Sequence, residues 1–285
     1  MGVEHSTPGL ILLLVAFLGP VVFLIRRASA GRSIFIRRIP GVDAVNEAIG
    51  RAAELGRPIS FTTGLTSVSP VLYACLGVLS HVAYRAARFR SRLLVPQYNP
   101  EAMAIVENGV RDAYREARRI SAFDPQSIMF LSESQFAFAS GYMGLMHREK
   151  VGSAFLFGYF AAESLILAEA GQQVGAMQVA ASVSPEQVPF FICTADYTLI
   201  GEELYASSAY LSREPVQLGS LAGQDVAKLV FVILIVFGVL IATWNTLFPE
   251  QIIPNIDAFL GYSWSDLLFV ENIPVVNTSV GGSGQ

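Results

Sequence analysis

The stretch Ser153-Ala-Phe-Leu-Phe-Gly-Tyr159, followed by Ala161-Ala-Glu-Ser-Leu-Ile-Leu-Ala-Glu-Ala170 and Gly171, sets a short apolar run beside a longer one. The first reads as a strand, the second as a helix stopped by Gly171. The same couplet recurs on both sides. Upstream, residues 42–55 read as a helix begun after Pro40 and stopped at Gly56, and 59–61 as a strand running into Thr62, Thr63 and Gly64. Ser69 and Pro70 supply an N-cap and first-turn pair for an apolar helix to about residue 90. Residues 93–95 make a strand, and Asn99 with Pro100 opens a helix through Arg119. A strand over 128–131 is closed by Ser132, Glu133 and Ser134, and a helix follows over 135–148. Downstream, 176–183 and 188–193 read as two strands joined by a Ser-Pro-Glu-Gln loop short enough for an antiparallel hairpin. Asp196 then caps a helix to about Leu211, and Pro215 ends that neighbourhood. Strand alternating with helix, with short apolar strands, predicts an α/β fold: a Rossmann-like, mostly parallel sheet covered on both faces. The segment 40–225 is long enough for one such domain.

Outside that body the chain changes character. Residues 229–242 are apolar throughout, and 226–248 contain one charge, Lys228, which is long enough to cross about 30 Å of hydrocarbon. Residues 8–25 form a second spanning candidate, shorter and kinked by Pro20. No Lys or Arg precedes Arg26 and none follows Lys228, so all 19 cations lie from the end of the first span to the first turn of the second, with Arg26, Arg27, Arg32, Arg37 and Arg38 in the linker 26–39. The positive-inside rule then predicts a two-pass membrane protein with a cytoplasmic central domain and both termini outside. Residues 1–7 carry no cation, which disfavours a cleaved leader. The tail 249–285, with Tyr262 and Trp264, reads as an extracytoplasmic or interfacial cap. A Gly-rich hinge at 219–223 leads to the last span, where Gly238 and Ala242 form a small-xxx-small pair suited to close helix packing and a homo-oligomer.

Composition agrees with one anchored domain. The 285 residues are 53% hydrophobic and 15% charged, with mean hydropathy +0.49, between a soluble domain and a polytopic transporter. A net charge of −4 argues against a nucleic-acid partner. Cys75 and Cys193 lie far apart in apolar stretches and read as small buried hydrophobes rather than a disulfide. With His5, His81 and His147 as the only histidines, no metal-ligand spacing emerges. His81, on an apolar helix, reads as a hydrogen-bonded core residue.

Chemistry, where present, belongs at the carboxyl ends of the strands. Four expected strand ends carry polar residues: Thr62 and Thr63; Ser132 and Glu133; Glu163 beyond Gly158; and Thr194 with Asp196. If those strands are parallel neighbours, Asp196, with Glu202 and Glu203 farther along, joins a carboxylate cluster able to bind a cation or act as a base. A structural account competes, in which Asp196 is only an N-cap and the two glutamates are solvated or paired with Arg213. Glu163 and Glu169 on one apolar helix invite a polar contact between subunits. No Gly-x-Gly-x-x-Gly, phosphate loop or Gly-x-Ser-x-Gly elbow is present, so no cofactor can be named. Gly152, Gly158, Gly171 and Gly175 read as turn residues.

The stretch Pro189-Phe-Phe-Ile-Cys-Thr-Ala-Asp-Tyr-Thr-Leu-Ile-Gly-Glu-Glu-Leu-Tyr-Ala206, then Gly219-Ser-Leu-Ala-Gly-Gln-Asp225 before Lys228, resembles an uncharacterised prokaryotic membrane-protein family. Arg38-Ile-Pro-Gly-Val-Asp-Ala-Val-Asn-Glu-Ala-Ile-Gly-Arg51 and Gly152-Ser-Ala-Phe-Leu-Phe-Gly-Tyr-Phe160 share the likeness, which covers about residues 38–228. The family is known only as a domain of unknown function. The resemblance implies a bacterial or archaeal source and a membrane setting, and it transfers no activity or site. The expectation is a membrane-anchored cytosolic module contacting membrane lipid, either a self-associating scaffold or a binder of a small molecule. The alternative is a membrane-bound enzyme acting at the strand ends on a nucleotide-like or lipid-linked substrate. A transporter would need the helix at 69–90 to span.

Overall fold

The structure is a computed structural model that describes residues 8–30, 40–212 and 215–247. Its strands are short and mostly apolar runs. β1 (Ile59–Gly64), β2 (Leu93–Gln97) and β5 (Met177–Ser182) are buried at every position, and β4 (Ser153–Tyr159) at all but its last. Such runs need cover on both faces, which a parallel sheet with crossover helices provides. With β3 (Ile128–Phe130) and β6 (Tyr197–Ile200) they form one sheet in the order β3-β2-β1-β4-β5-β6, every pairing parallel.

Side chains alternate across the strands and build two cores. On one face α2 (Pro40–Glu54), α3 (Pro70–Phe89), α4 (Pro100–Glu116) and α8 (Glu203–Ser212) bury Ile49, Val78, Val106 and Leu204 against Phe61, Phe155 and Phe157. On the other, α5 (Gln135–Glu149), α6 (Ser164–Val174) and α7 (Val188–Thr194) bury Phe138, Leu167 and Phe191 against Leu94, Leu156 and Ala180. α3 is a core helix: Leu72, Cys75, Val78, Leu79 and Val82 are fully buried, so its apolar length is used within the domain.

Several expectations are corrected. Residues 188–193, read as a strand, are helical, and the hairpin with 176–183 does not exist. Val-Pro-Phe-Phe-Ile-Cys is too short to show a period, and Pro189 stands in a first helical turn, where its missing N–H costs nothing. The strand is instead Tyr197–Ile200, inside what was read as a helix capped by Asp196. α6 passes through Gly171 and ends at Gly175, in the left-handed region. Cys193 is exposed, not buried, whereas Cys75 is buried and its thiol donates to the Phe157 carbonyl at 3.3 Å. His81, half-buried, shares a hydrogen bond with Asn46 Oδ1 at 3.0 Å.

The first outer helix and the last one from Ala222 onward belong to a separate unit. α1 (Pro8–Ser29) contains Pro20, and α9 runs unbroken over Pro215–Leu247. The expected hinge at 219–223 is therefore helix, with Pro215 at its start rather than ending the preceding element. An added Cβ on Gly223 would meet the Cα of Val21 at 2.6 Å, so this glycine permits close approach of the two helices. Phe17 and Phe231 stack beside it with ring centroids 4.7 Å apart. Among the described residues, α9 alone is long and apolar enough to cross a membrane by length and composition, and its apolar stretch is not buried. Residues 1–7, Arg32, Arg37, Arg38, Arg213 and the tail from 249 lie outside the described residues.

Candidate functional site

In this strand order the crossovers leave β1 and β4 in opposite directions, so the sheet's carboxyl edge opens between them. The two loops that meet there are residues 64–69 and 159–163. They are tied together at their base. Leu65 N–H donates to the Tyr159 carbonyl at 2.9 Å, Tyr159 N–H to Thr66 Oγ1 at 2.8 Å, and the Thr66 hydroxyl to the Thr63 carbonyl. Gly158 makes this possible: its φ is +144°, and a Cβ there would collide with the Thr63 carbonyl.

Above the tie lies a cleft of about 340 Å3 lined by Leu65, Thr66, Ser67, Ser69, Val71 and Tyr159, with Val183 at its edge. α3 begins at its wall. Ser69 is extended and its hydroxyl donates to the Ser67 carbonyl at 3.1 Å, so no side chain caps the helix. A dinucleotide fold keeps this turn bare so that backbone reaches a pyrophosphate. Here Leu65 and Thr66 line that space, and among the described residues no Lys or Arg lines the cleft.

The expected site residues separate into two groups. Thr62, Thr63, Ser132, Glu133, Glu163 and Glu202 lie at the carboxyl end. Thr194 and Asp196 lie at the amino end, before β6. Asp196 caps no helix: its Oδ2 accepts from Gln178 N–H at 2.7 Å, tying the start of β6 to β5. The Thr194 hydroxyl donates to the Phe190 carbonyl at 2.7 Å. The cluster that needed Asp196 beside Glu163 and Glu133 does not assemble. Its premise was that 188–193 is a strand; with a helix there, the chain is reversed and Asp196 falls at the opposite edge.

The carboxyl-end residues are held by their own chain. Thr62 Oγ1 accepts from Gly64 N–H at 3.2 Å, and the Thr63 hydroxyl donates to Gln97 Oε1 at 2.9 Å. Ser132 Oγ accepts from Ser134 N–H at 3.0 Å, while Glu133 is exposed. Glu163 is 0% exposed, accepting from Gln135 Nε2 at 2.6 Å and from Ala161 N–H at 3.0 Å. That pair joins the starts of α5 and α6 within this domain, a role found in place of the expected subunit contact. Glu169, in contrast, is exposed and bonds Gln173. Glu202 is exposed at the start of α8.

Sequence reasoning missed Thr66, Gln97, Gln135 and Tyr159. A glutamine closing the apolar run Leu-Leu-Val-Pro was the available signal. Gln97 is fully buried, and its Nε2 has no hydrogen-bond partner among the described residues. Among the described residues no group of three His, Cys, Asp or Glu side chains is placed to hold a metal ion.

No curated protein and no solved structure matches the chain. One family model does, over residues 3–253, most of the sequence, including both outer helices. The chain belongs to the family described as domain of unknown function DUF6754.

Proposed function

We propose that this protein is a non-enzymatic module of a prokaryotic cell membrane. Two spans carry a cytoplasmic α/β domain that self-associates and receives a small, uncharged or cationic ligand in the cleft between β1 and β4. The observation that carries this reading is the cleft: it lies at the reversal of strand order, where ligands of doubly wound sheets gather, and among the described residues neither a Lys or Arg nor an Asp or Glu lines it. α1 as the second span and the placement of both termini outside rest on the distribution of Lys and Arg. Gly238 and Ala242 on α9 would face a second copy.

Native mass spectrometry of the full-length protein released gently from membranes tests the reading. A defined oligomer that retains a small molecule in wild type and loses it in Val71→Trp is expected. An oligomer with no retained mass leaves only the scaffold half of the proposal. A monomer with no retained mass contradicts both halves.

A further inference from the structure

At the opposite end of the sheet lies a second cavity, of about 350 Å3, between the end of α3 and the segment that joins α4 to β3. Three arginines, Arg90, Arg92 and Arg119, line it against one acidic residue, Asp124. Arg92 pairs with Glu149 at 2.7 Å, whereas Arg90 and Arg119 form no ion pair among the described residues. Asp124 faces other work: its Oδ1 accepts from Gln126 N–H at 3.0 Å and its carbonyl from the Ser127 hydroxyl at 2.6 Å. The Tyr114 side chain, nearly buried, adds a phenol to the wall, and burial, reinforced by Asp124, keeps that phenol protonated as a donor.

Cations at helix ends are ordinarily explained by the helix dipole. Two details exceed that account. Arg90 sits at φ +59°, a left-handed cap position that favours glycine, yet carries the long cationic side chain. Arg118, adjacent to Arg119, is left-handed as well, at φ +56°. A non-glycine residue in this region carries a conformational cost, which Arg90 and Arg118 share with Lys150 at the end of α5.

We propose that this cavity binds a phosphate-type oxyanion, held by Arg90 and Arg119 with Arg92 and the Tyr114 hydroxyl as further donors. Planar guanidinium groups suit such a ligand because each can offer two parallel N–H donors to its oxygens. The site is independent of the cleft between β1 and β4 and shares no residue with it. The same chemistry comes from a free phosphorylated metabolite or from an anionic lipid headgroup.

The test uses the full chain in phosphatidylcholine nanodiscs, titrated calorimetrically with inorganic phosphate at constant ionic strength. Saturable binding is expected, weakened about tenfold or more in Arg90→Gly and in Arg119→Gln. Arg90→Gly suits its cap position, so a folded protein that no longer binds separates recognition from stability. Repeating the titration in discs that contain phosphatidylglycerol distinguishes the sources. Unchanged affinity points to a free ligand, and competition by the disc, absent in Arg119→Gln, points to a headgroup. Absence of saturable binding in phosphatidylcholine discs, or binding unchanged in both variants, overturns the proposal.

Discussion

The loops at the two ends of the sheet carry opposite charge. At the carboxyl end, the six loops hold Glu133, Glu163, Glu186 and Glu202 and no Lys or Arg. At the amino end, they hold Arg57, Arg90, Arg92, Arg118, Arg119 and Lys150 against Asp124 and Asp196. The sign follows from the fold. Helices begin at the carboxyl end and finish at the amino end, so dipoles favour acids at the first and cations at the second. The manner of holding differs too. Thr62, Thr63, Thr66 and Glu163 are buried and bonded within the domain, whereas Arg90 and Arg119 lack ion-pair partners among the described residues. One lesson is that a polar residue at a strand end is weak evidence of catalysis until its own hydrogen bonds have been traced.

Glycine exchanges should have opposite signs at the two ends. Gly158→Ala, at the carboxyl end, forces a strained φ and a clash with backbone, and should cost about 3 kcal/mol or more. Thermal or denaturant unfolding of the full chain measures it; a loss below about 1 kcal/mol would show that the tie between the loops is not rigid. Glu163→Ala comes next. It leaves Gln135 Nε2 and Ala161 N–H without their acceptor and should cost about 1–3 kcal/mol, with Glu163→Gln milder. Equal losses for Ala and Gln would mean that the charge, not the acceptor, matters.

Between the ends, the buried core sets a pH dependence that belongs to neither. Burial raises the Cys75 thiol and the Tyr142 phenol, the latter opposed in part by its bond with Ser60. Both stay protonated in the fold, while the unfolded chain ionises near pH 8.5 and 10. Their contribution is therefore complete below about pH 8 and declines as pH rises, by about 1.4 kcal/mol per pH unit for each group once ionised in the unfolded state. Unfolding curves from pH 7 to 11 check this, and Cys75→Ala should flatten the first part of the decline. The smallest effect is expected for Arg90→Gly, a gain of about 0.5–1 kcal/mol as the left-handed cap is relieved. A net loss would mean that the arginine side chain holds the turn, which would remove the contrast with Gly158.

Much of the α/β alternation was readable because short continuous apolar strands and proline-initiated helices carry strong local signals. Pro70 and Pro100 stand at helix starts, and the runs at β1, β2, β4 and β5 are continuous because both faces are covered. Residues 188–200 misled for a physical reason. Seven helical residues and four strand residues are each shorter than the window over which a period can be told. That local error displaced Asp196 from one end of the sheet to the other and created a carboxylate cluster that the fold does not contain. The hydrogen bond from Gln135 to Glu163 was illegible, since the two lie 28 residues apart. The left-handed arginines carried no sequence signal, because the residue type that marks such positions is glycine.

The two cysteines supply the most direct test of an α/β body folded in this way on the cytoplasmic side. Cys193 is exposed and Cys75 buried, so a membrane-impermeant maleimide reports topology and fold together. In intact cells neither should react. After permeabilisation Cys193 alone should be labelled, with Cys75 following only on denaturation. Labelling of Cys193 from outside intact cells would contradict the cytoplasmic placement, and reaction of Cys75 in the native protein would contradict the packing of α3 against the sheet.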